Sequence, residues 1–199
     1  VPAITTKTVA KDSEELIVDI LKRELKEAGY EMLYMTGQVD EFAIKTLREY
    51  DGKKFLNIRT DEIDLSTDEQ KKALAEENEA AADLFAAMKE ALGEKVHAVR
   101  FTDKLKSHPV CLSTEGGLSM EMEQTLNAMP GRENRFKADV VLELNPDHPV
   151  TAKLKEYAVT DKEKLADYAK LLYAEGCLIG GVPIEEPAEL CRLITGLME

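Results

Sequence analysis

Three histidines, three cysteines and two glycine pairs are the residues of this chain whose types could carry out chemistry. His97, His108 and His148 could act as general bases or as metal ligands. A catalytic base needs a nucleophile or an orienting carboxylate at a fitting offset, and none of the three has one in sequence. His97 falls in a run that reads as a strand, while His108 and His148 each precede a proline, the setting of a turn. His108 and Cys111 form one close ligand pair, but structural zinc needs a second such pair, and none exists. Cys111 reads as an inert strand residue, and Cys177 and Cys191 read as small packing residues on helices. Gly116-Gly117 and Gly180-Gly181 lack the Lys-Ser/Thr of a phosphate loop and do not fit G-x-G-x-x-G. The abundant paired carboxylates read as solvated helix faces. The expectation is therefore no catalytic residue and no metal site. A redox or metal enzyme built on the cysteines and histidines stays open as a rival, which metal analysis and thiol titration would reveal.

Two apolar patterns suit binding better than bond chemistry. Leu118, Met122, Leu126 and Met129 fall on one helical stripe, with Met120 beside it. Thioether chains are flexible and polarisable, so they adapt to varied apolar partners. A glycine loop and Pro130-Gly131 flank this short segment, as they would a protruding element. The plain alternative is that the stripe packs on neighbouring strands. The second pattern lies at the chain end. Leu165, Tyr168, Leu171, Leu172, Leu178 and Ile179 crowd one helix, and Leu190, Leu193, Ile194 and Leu197 line the next. Two helices this apolar need more cover than one hairpin supplies. A second copy would give a four-helix bundle about a two-fold axis, and closure of the chain's own core is the equal alternative.

The elements that must position these residues follow from periodicity and punctuation. The chain has 199 residues, enough for one large or two small domains. Lys+Arg 26 against Asp+Glu 39 gives −13, which argues against a nucleic-acid groove and against adsorption to anionic membranes. No leader or spanning segment is evident, and the three scattered cysteines fit a reducing cytoplasm. The start at Val1, without Met, reads as a fragment. Asp12-Ser-Glu-Glu15 opens a helix that stops before Gly29. Tyr30–Met35 and Phe55–Ile58 read as strands, with a helix from about Val39 to Tyr50 between them. A boundary falls near residue 65. Ser66-Thr-Asp-Glu69 caps one long helix to Leu92, polar in its first half and striped at Leu84, Phe85, Met88 and Leu92. Val96–Phe101, Pro109–Ser113 and Ala138–Leu144 read as strands. Ser119 caps a helix to about Met129, and further helices follow from Pro149 to Tyr157, from Thr160-Asp-Lys-Glu163 to Ile179, and from Pro187 to Met198.

Several motifs are familiar together. Tyr30-Glu-Met-Leu-Tyr-Met-Thr with Val39-Asp-Glu-Phe resembles the late middle region of heat-shock protein 90 chaperones, as does Tyr50-Asp-Gly-Lys-Lys-Phe55. Leu92-Gly-Glu-Lys-Val96, Val99-Arg-Phe-Thr-Asp-Lys-Leu105 and Glu143-Leu-Asn-Pro-Asp-His-Pro149 resemble the family's C-terminal domain. Leu171-Leu-Tyr-Ala with Gly181-Val-Pro-Ile-Glu-Glu-Pro187 resembles its closing helical pair. The resemblance runs in order from about residue 28 to 199, and residues 1–27 match less clearly. It implies a cytoplasmic chaperone, homodimeric through the two terminal helices, with no nucleic-acid or membrane partner. It also implies an exposed helix over Leu118–Met129 that binds non-native client proteins, although Thr125 stands where an apolar residue is usual. ATP and magnesium belong to the full-length protein, on an N-terminal domain absent here, so the resemblance implies no cofactor in this chain and no enzyme. Gly176-Cys177 and Gly180-Gly181 depart from the family's usual residues and would loosen the terminal hairpin. The absence of an acidic Met-Glu-Glu-Val-Asp tail points to the bacterial type.

The expected fold is α+β: a small α/β/α subdomain over 1–65, a bridging helix over 66–92, and a mixed α/β dimerisation domain over 93–199. Its expected function is to pair two chaperone protomers and present apolar surface to clients. A monomeric structural or interaction domain is the other reading.

Overall fold

Ala3-Ile-Thr-Thr-Lys7 is rich in β-branched residues and forms strand β1, Ala3–Lys7, at the centre of a four-stranded sheet. Strand β2, Glu31–Met35, lies on one side of it and β4, Lys53–Asn57, on the other, both parallel to it. Ala3 stands opposite both Glu31 and Phe55. Helix α1, Asp40–Leu47, precedes a two-residue strand β3, Glu49–Tyr50, which returns antiparallel to β4. The hairpin turn is Asp51-Gly52, with φ of 51° and 71°, the left-handed pair that a two-residue turn requires. The helix expected to reach Tyr50 therefore ends at Leu47. Arg48 at φ 60° stops it, and Glu49 and Tyr50 are taken by the ladder to Lys54 and Lys53.

A computed structural model of the chain describes residues 3–7, 29–35, 39–57, 67–105, 107–129, 136–196 and 198. The helix expected over 12–28 lies outside them. The chain divides into two compact units: residues 1–65 with 114–138, and residues 66–113 with 139–199.

In the second unit the expected bridging helix is two helices, α2, Asp68–Ala80, and α3, Ala82–Leu92. The cap lies one residue beyond the expected Ser66. Thr67 Oγ1 accepts from the Gln70 amide at 3.3 Å and Gln70 Oε1 accepts from the Thr67 amide at 2.9 Å, a capping box with Gln70 rather than Glu69 as third residue. The break falls at Ala81, whose N–H is shared between Glu77 O and Asn78 O. Its cause is Asn78, which turns its carboxamide onto the outer edge of strand β5, Ala98–Phe101. Asn78 Oδ1 accepts from Phe101 N–H at 2.8 Å, and Nδ2 donates to Phe101 O at 3.3 Å. Helix α2 buries nothing, whereas α3 buries Leu84, Met88 and Leu92.

Strand β5 lies parallel to β7, Asp139–Leu144, and β6, Val110–Glu115, completes the order β5-β7-β6. Helices α5, Pro149–Thr160, α6, Lys162–Ile179, and α7, Pro187–Gly196, follow. The core is built from Met88, Phe101, Val110, Val141, Leu142, Leu144, Leu154 and Leu165, all nearly inaccessible. Helix α3 packs on α6, α5 and β5, and α6 in turn carries α5 and α7. Among the described residues the architecture is mixed α+β, and no helix there is long and apolar enough to cross a membrane.

Candidate functional site

Helix α4, Met120–Asn127, carries the methionine stripe and belongs to the first unit. Ser119 is its N-cap: the hydroxyl oxygen accepts from Met122 N–H at 3.1 Å and its proton goes to Glu41 Oε2 at 2.7 Å. Lys45, one turn on along α1, donates to the Gly117 carbonyl and to Met122 Sδ, and pairs with Glu41 at 3.4 Å. At the other end Asn127 exchanges two hydrogen bonds with the Phe136 backbone, and Glu123 accepts from Ala138 N–H. The helix expected to protrude is thus held at both ends by side-chain hydrogen bonds. Of the five residues expected to face clients, Met120 is buried, Leu118, Met122 and Leu126 are half-buried, and Met129 is 44% exposed. Thr125 bonds back to Glu121 O within the helix.

Nine of the ten residues of the expected dimer face are described, and they range from buried to exposed. Leu165, Leu172 and Leu193 are buried within their own chain. Tyr168, Leu171, Ile179 and Leu190 are half-buried, while Leu178 is 59% and Ile194 38% exposed. Leu197 lies outside the described residues. Gly176 is buried where α6 meets β6, and a Cβ built on it would come within 3.0 Å of Leu112 Cγ. The glycine that looks costly on helix propensity is what lets helix and strand approach. A cavity of about 280 Å³ opens among the end of α3, α6, the 182–186 loop and α7. Leu92, Tyr173, Cys177 and Leu193 line it, and four of its five charged groups form the pairs Lys95–Glu186 at 3.7 Å and Lys170–Glu189 at 3.2 Å.

His148 caps α5, its Nδ1 accepting from Val150 N–H at 3.2 Å. Asn145, the residue directly after β7, binds Pro109 O through its backbone N–H and His108 O through Nδ2. Its carbonyl accepts from the buried Thr151 hydroxyl, so the Asn-Pro-Asp-His-Pro turn ties β7 to the 108–109 loop and to α5. His97 is exposed, with Nδ1 4.0 Å from Asp139. Burial pushes the Cys177 thiol up, the opposite of an activated nucleophile. Glu143 is 1% exposed and is met by Arg100 at 2.7 Å and Lys104 at 3.9 Å, and Cys111 Sγ donates to it at 3.6 Å. The signal for Glu143 was present: a lone carboxylate inside Val140-Val-Leu-Glu-Leu144 must find partners when buried. Glu41, Lys45 and Asn127 gave no such signal, since polar residues on short helices look solvated. Among the described residues no three His, Cys, Asp or Glu side chains form a metal-binding set. Gly116 and Gly117, both at positive φ, lead into the Ser119 cap rather than a Lys-Ser/Thr pair.

Comparison with known proteins adds what geometry alone does not. The family model described as Hsp90 protein matches residues 8–199. The chain is 44% identical over 188 residues to chaperone protein HtpG of Bacillus subtilis (strain 168), covering 94% of this chain and 30% of that protein. It is 46% identical over 189 residues to chaperone protein HtpG of Bacillus velezensis, again over 94% and 30%. The HtpG of Clostridium acetobutylicum is 44% identical over 192 residues, 96% of this chain and 30% of that protein. The chain thus spans less than a third of the length of these relatives. The expectation that it is no enzyme is corrected by these matches. Residues 8–199 fall inside the Hsp90 family, and a chain matching it over that length is not set apart as a non-enzyme.

Proposed function

The chain belongs to the Hsp90 family, and from that membership we propose that it is the part of a bacterial chaperone that pairs two protomers and offers apolar surface to non-native proteins. Residues 1–65 are read as the end of a middle domain, 66–92 as a connection, and 93–199 as the dimerisation domain. ATP and magnesium are assigned to the full-length protein, and the cytoplasm to its place of work. The observation that carries this reading is the apolar surface left on the terminal helices. Leu178 and Ile194 stand exposed beside half-buried Leu171, Ile179 and Leu190, in a chain of net charge −13. An apolar face on so charged a chain fits burial against a second copy, as in a four-helix bundle. Pairing would bring two copies of α4 into one assembly, so that a client held by one meets the other at high effective concentration.

Light scattering across a dilution series tests the pairing. The native chain is expected near twice 22.2 kDa, and Leu178→Asp and Ile194→Asp near one chain mass with helix content kept. Leu193→Asp is the wrong probe, because Leu193 packs inside its own chain and the aspartate would unfold the hairpin. A native chain that stays at one mass when concentrated would overturn the dimer in favour of a monomeric interaction domain.

A further inference from the structure

We propose that Glu41 and Lys45 form a latch on the first turn of α4, holding Met122 covered until the pair lets go. The use of that turn for clients rests on the function proposed above, but the latch itself stands on geometry.

The two residues lie four apart on α1, so both side chains leave the same face of that helix. Their targets are successive parts of one short segment. Glu41 accepts a hydrogen bond from the Ser119 hydroxyl, which leaves a lone pair of that oxygen for the Met122 amide. The carboxylate thereby orients the cap that starts α4. Ser119 is itself buried, so this cap does not exchange readily with water. Lys45 has three N–H bonds and three acceptors: the Gly117 carbonyl, Met122 Sδ at 3.0 Å, and Glu41. The loop before α4, its cap and Met122 are thus gathered by one ion pair.

The latch is built to be weak at one point. A thioether is a poor acceptor compared with a carbonyl or a carboxylate, so the Met122 contact is the first to yield. Lys45 is one-third and Glu41 one-sixth exposed, so salt and water reach the pair. An apolar segment that covers Met122 has only to move one long side chain, that of Lys45. Met120, two residues away and 7% exposed, lies outside the latch and serves as a buried reference, while Met129 serves as an open one.

Limited oxidation of the whole chain by hydrogen peroxide, read by peptide mass spectrometry, tests this. In the unaltered chain Met122 is expected to oxidise more slowly than Met129. Lys45→Gln is expected to speed Met122 by roughly two- to fivefold, the range of a part-exposed ion pair, with Met120 unchanged. Glu41→Gln should act in the same direction, and so should high sodium chloride on the unaltered chain. Met122 oxidising as fast as Met129 at low salt would overturn the latch. So would a Met122 rate that neither variant nor salt changes. If a variant also accelerates Met120, that variant has unfolded, and the salt series on the unaltered chain decides. A parallel assay measures suppression of aggregation of a heat-unfolded reporter enzyme. Faster Met122 oxidation with better suppression supports both readings. Faster oxidation with unchanged suppression keeps the latch and overturns α4 as the client surface.

Discussion

Glu143 and Glu175 show how two carboxylates of one unit reach opposite solutions. Glu143 is nearly inaccessible, and Arg100, Lys104 and the Cys111 thiol surround it. Glu175, on α6, is half-buried, and burial raises its carboxyl above the ordinary range, with His108 and His148 pulling the other way. A raised folded-state pKa means that the folded chain holds this proton more tightly than the unfolded chain does. The stability it lends is full below the ordinary carboxylate pKa and is lost as pH rises through the raised folded value. At neutral pH the ionised side chain is therefore a burden. Glu175→Gln is expected to stabilise the chain at pH 7 by a few tenths of a kcal/mol, a discounted figure for a screened site. The gain should vanish in acid. Urea midpoints at several pH values check it, and a variant less stable than the parent at pH 7 would contradict it.

At the scale of the element, α6 is decided by what it touches. Alanine in place of Gly176 would favour an isolated helix by about 1 kcal/mol. Its Cβ would press on Leu112, itself buried in β6, and overpacking costs about 1–3 kcal/mol. Gly176→Ala is therefore expected to lower stability by about 1 kcal/mol net. A thermal midpoint above the parent's would show that Leu112 moves aside freely. The same logic governs the break at Ala81. Helix propensity favours one helix from residue 68 to 92, yet Asn78 makes two hydrogen bonds to Phe101 that a straight Ala/Glu/Lys-rich helix has no reason to make.

For the whole molecule, association competes with charge. Each chain carries −13, so two copies repel, and the apolar face on α6 and α7 has to outweigh that. If the folded chain pairs and the unfolded chain does not, the thermal midpoint rises with concentration. A tenfold concentration step is worth about 1.4 kcal/mol, or a few degrees for a chain of this size. Added salt should strengthen the pairing by screening the repulsion. Scanning calorimetry at several concentrations and salt levels measures both, and a midpoint independent of concentration would remove the dimer. The latch on α4 responds to salt in the opposite sense, by release, so the two effects are separable in one titration.

The amino-acid sequence by itself determined many of the elements, though not strands β1 and β3 or the break at Ala81. Apolar runs and β-branching marked β5, β6 and β7, and Ser119 marked the start of α4. The ordered motifs from residue 28 onward were enough to reach the family. Tertiary structure alone decided which apolar residues face inward. Leu193 and Ile194 are neighbours of similar character, yet one is 6% exposed and the other 38%, because only one points at the wall formed with Leu92 and Cys177. It also decided that residues 114–138 group with the first 65 rather than with their sequence neighbours. The reason is physical: periodicity states that a helix has an apolar face, while the partner that covers that face lies far along the chain, as Gly176 lies from Leu112 and Glu41 from Ser119.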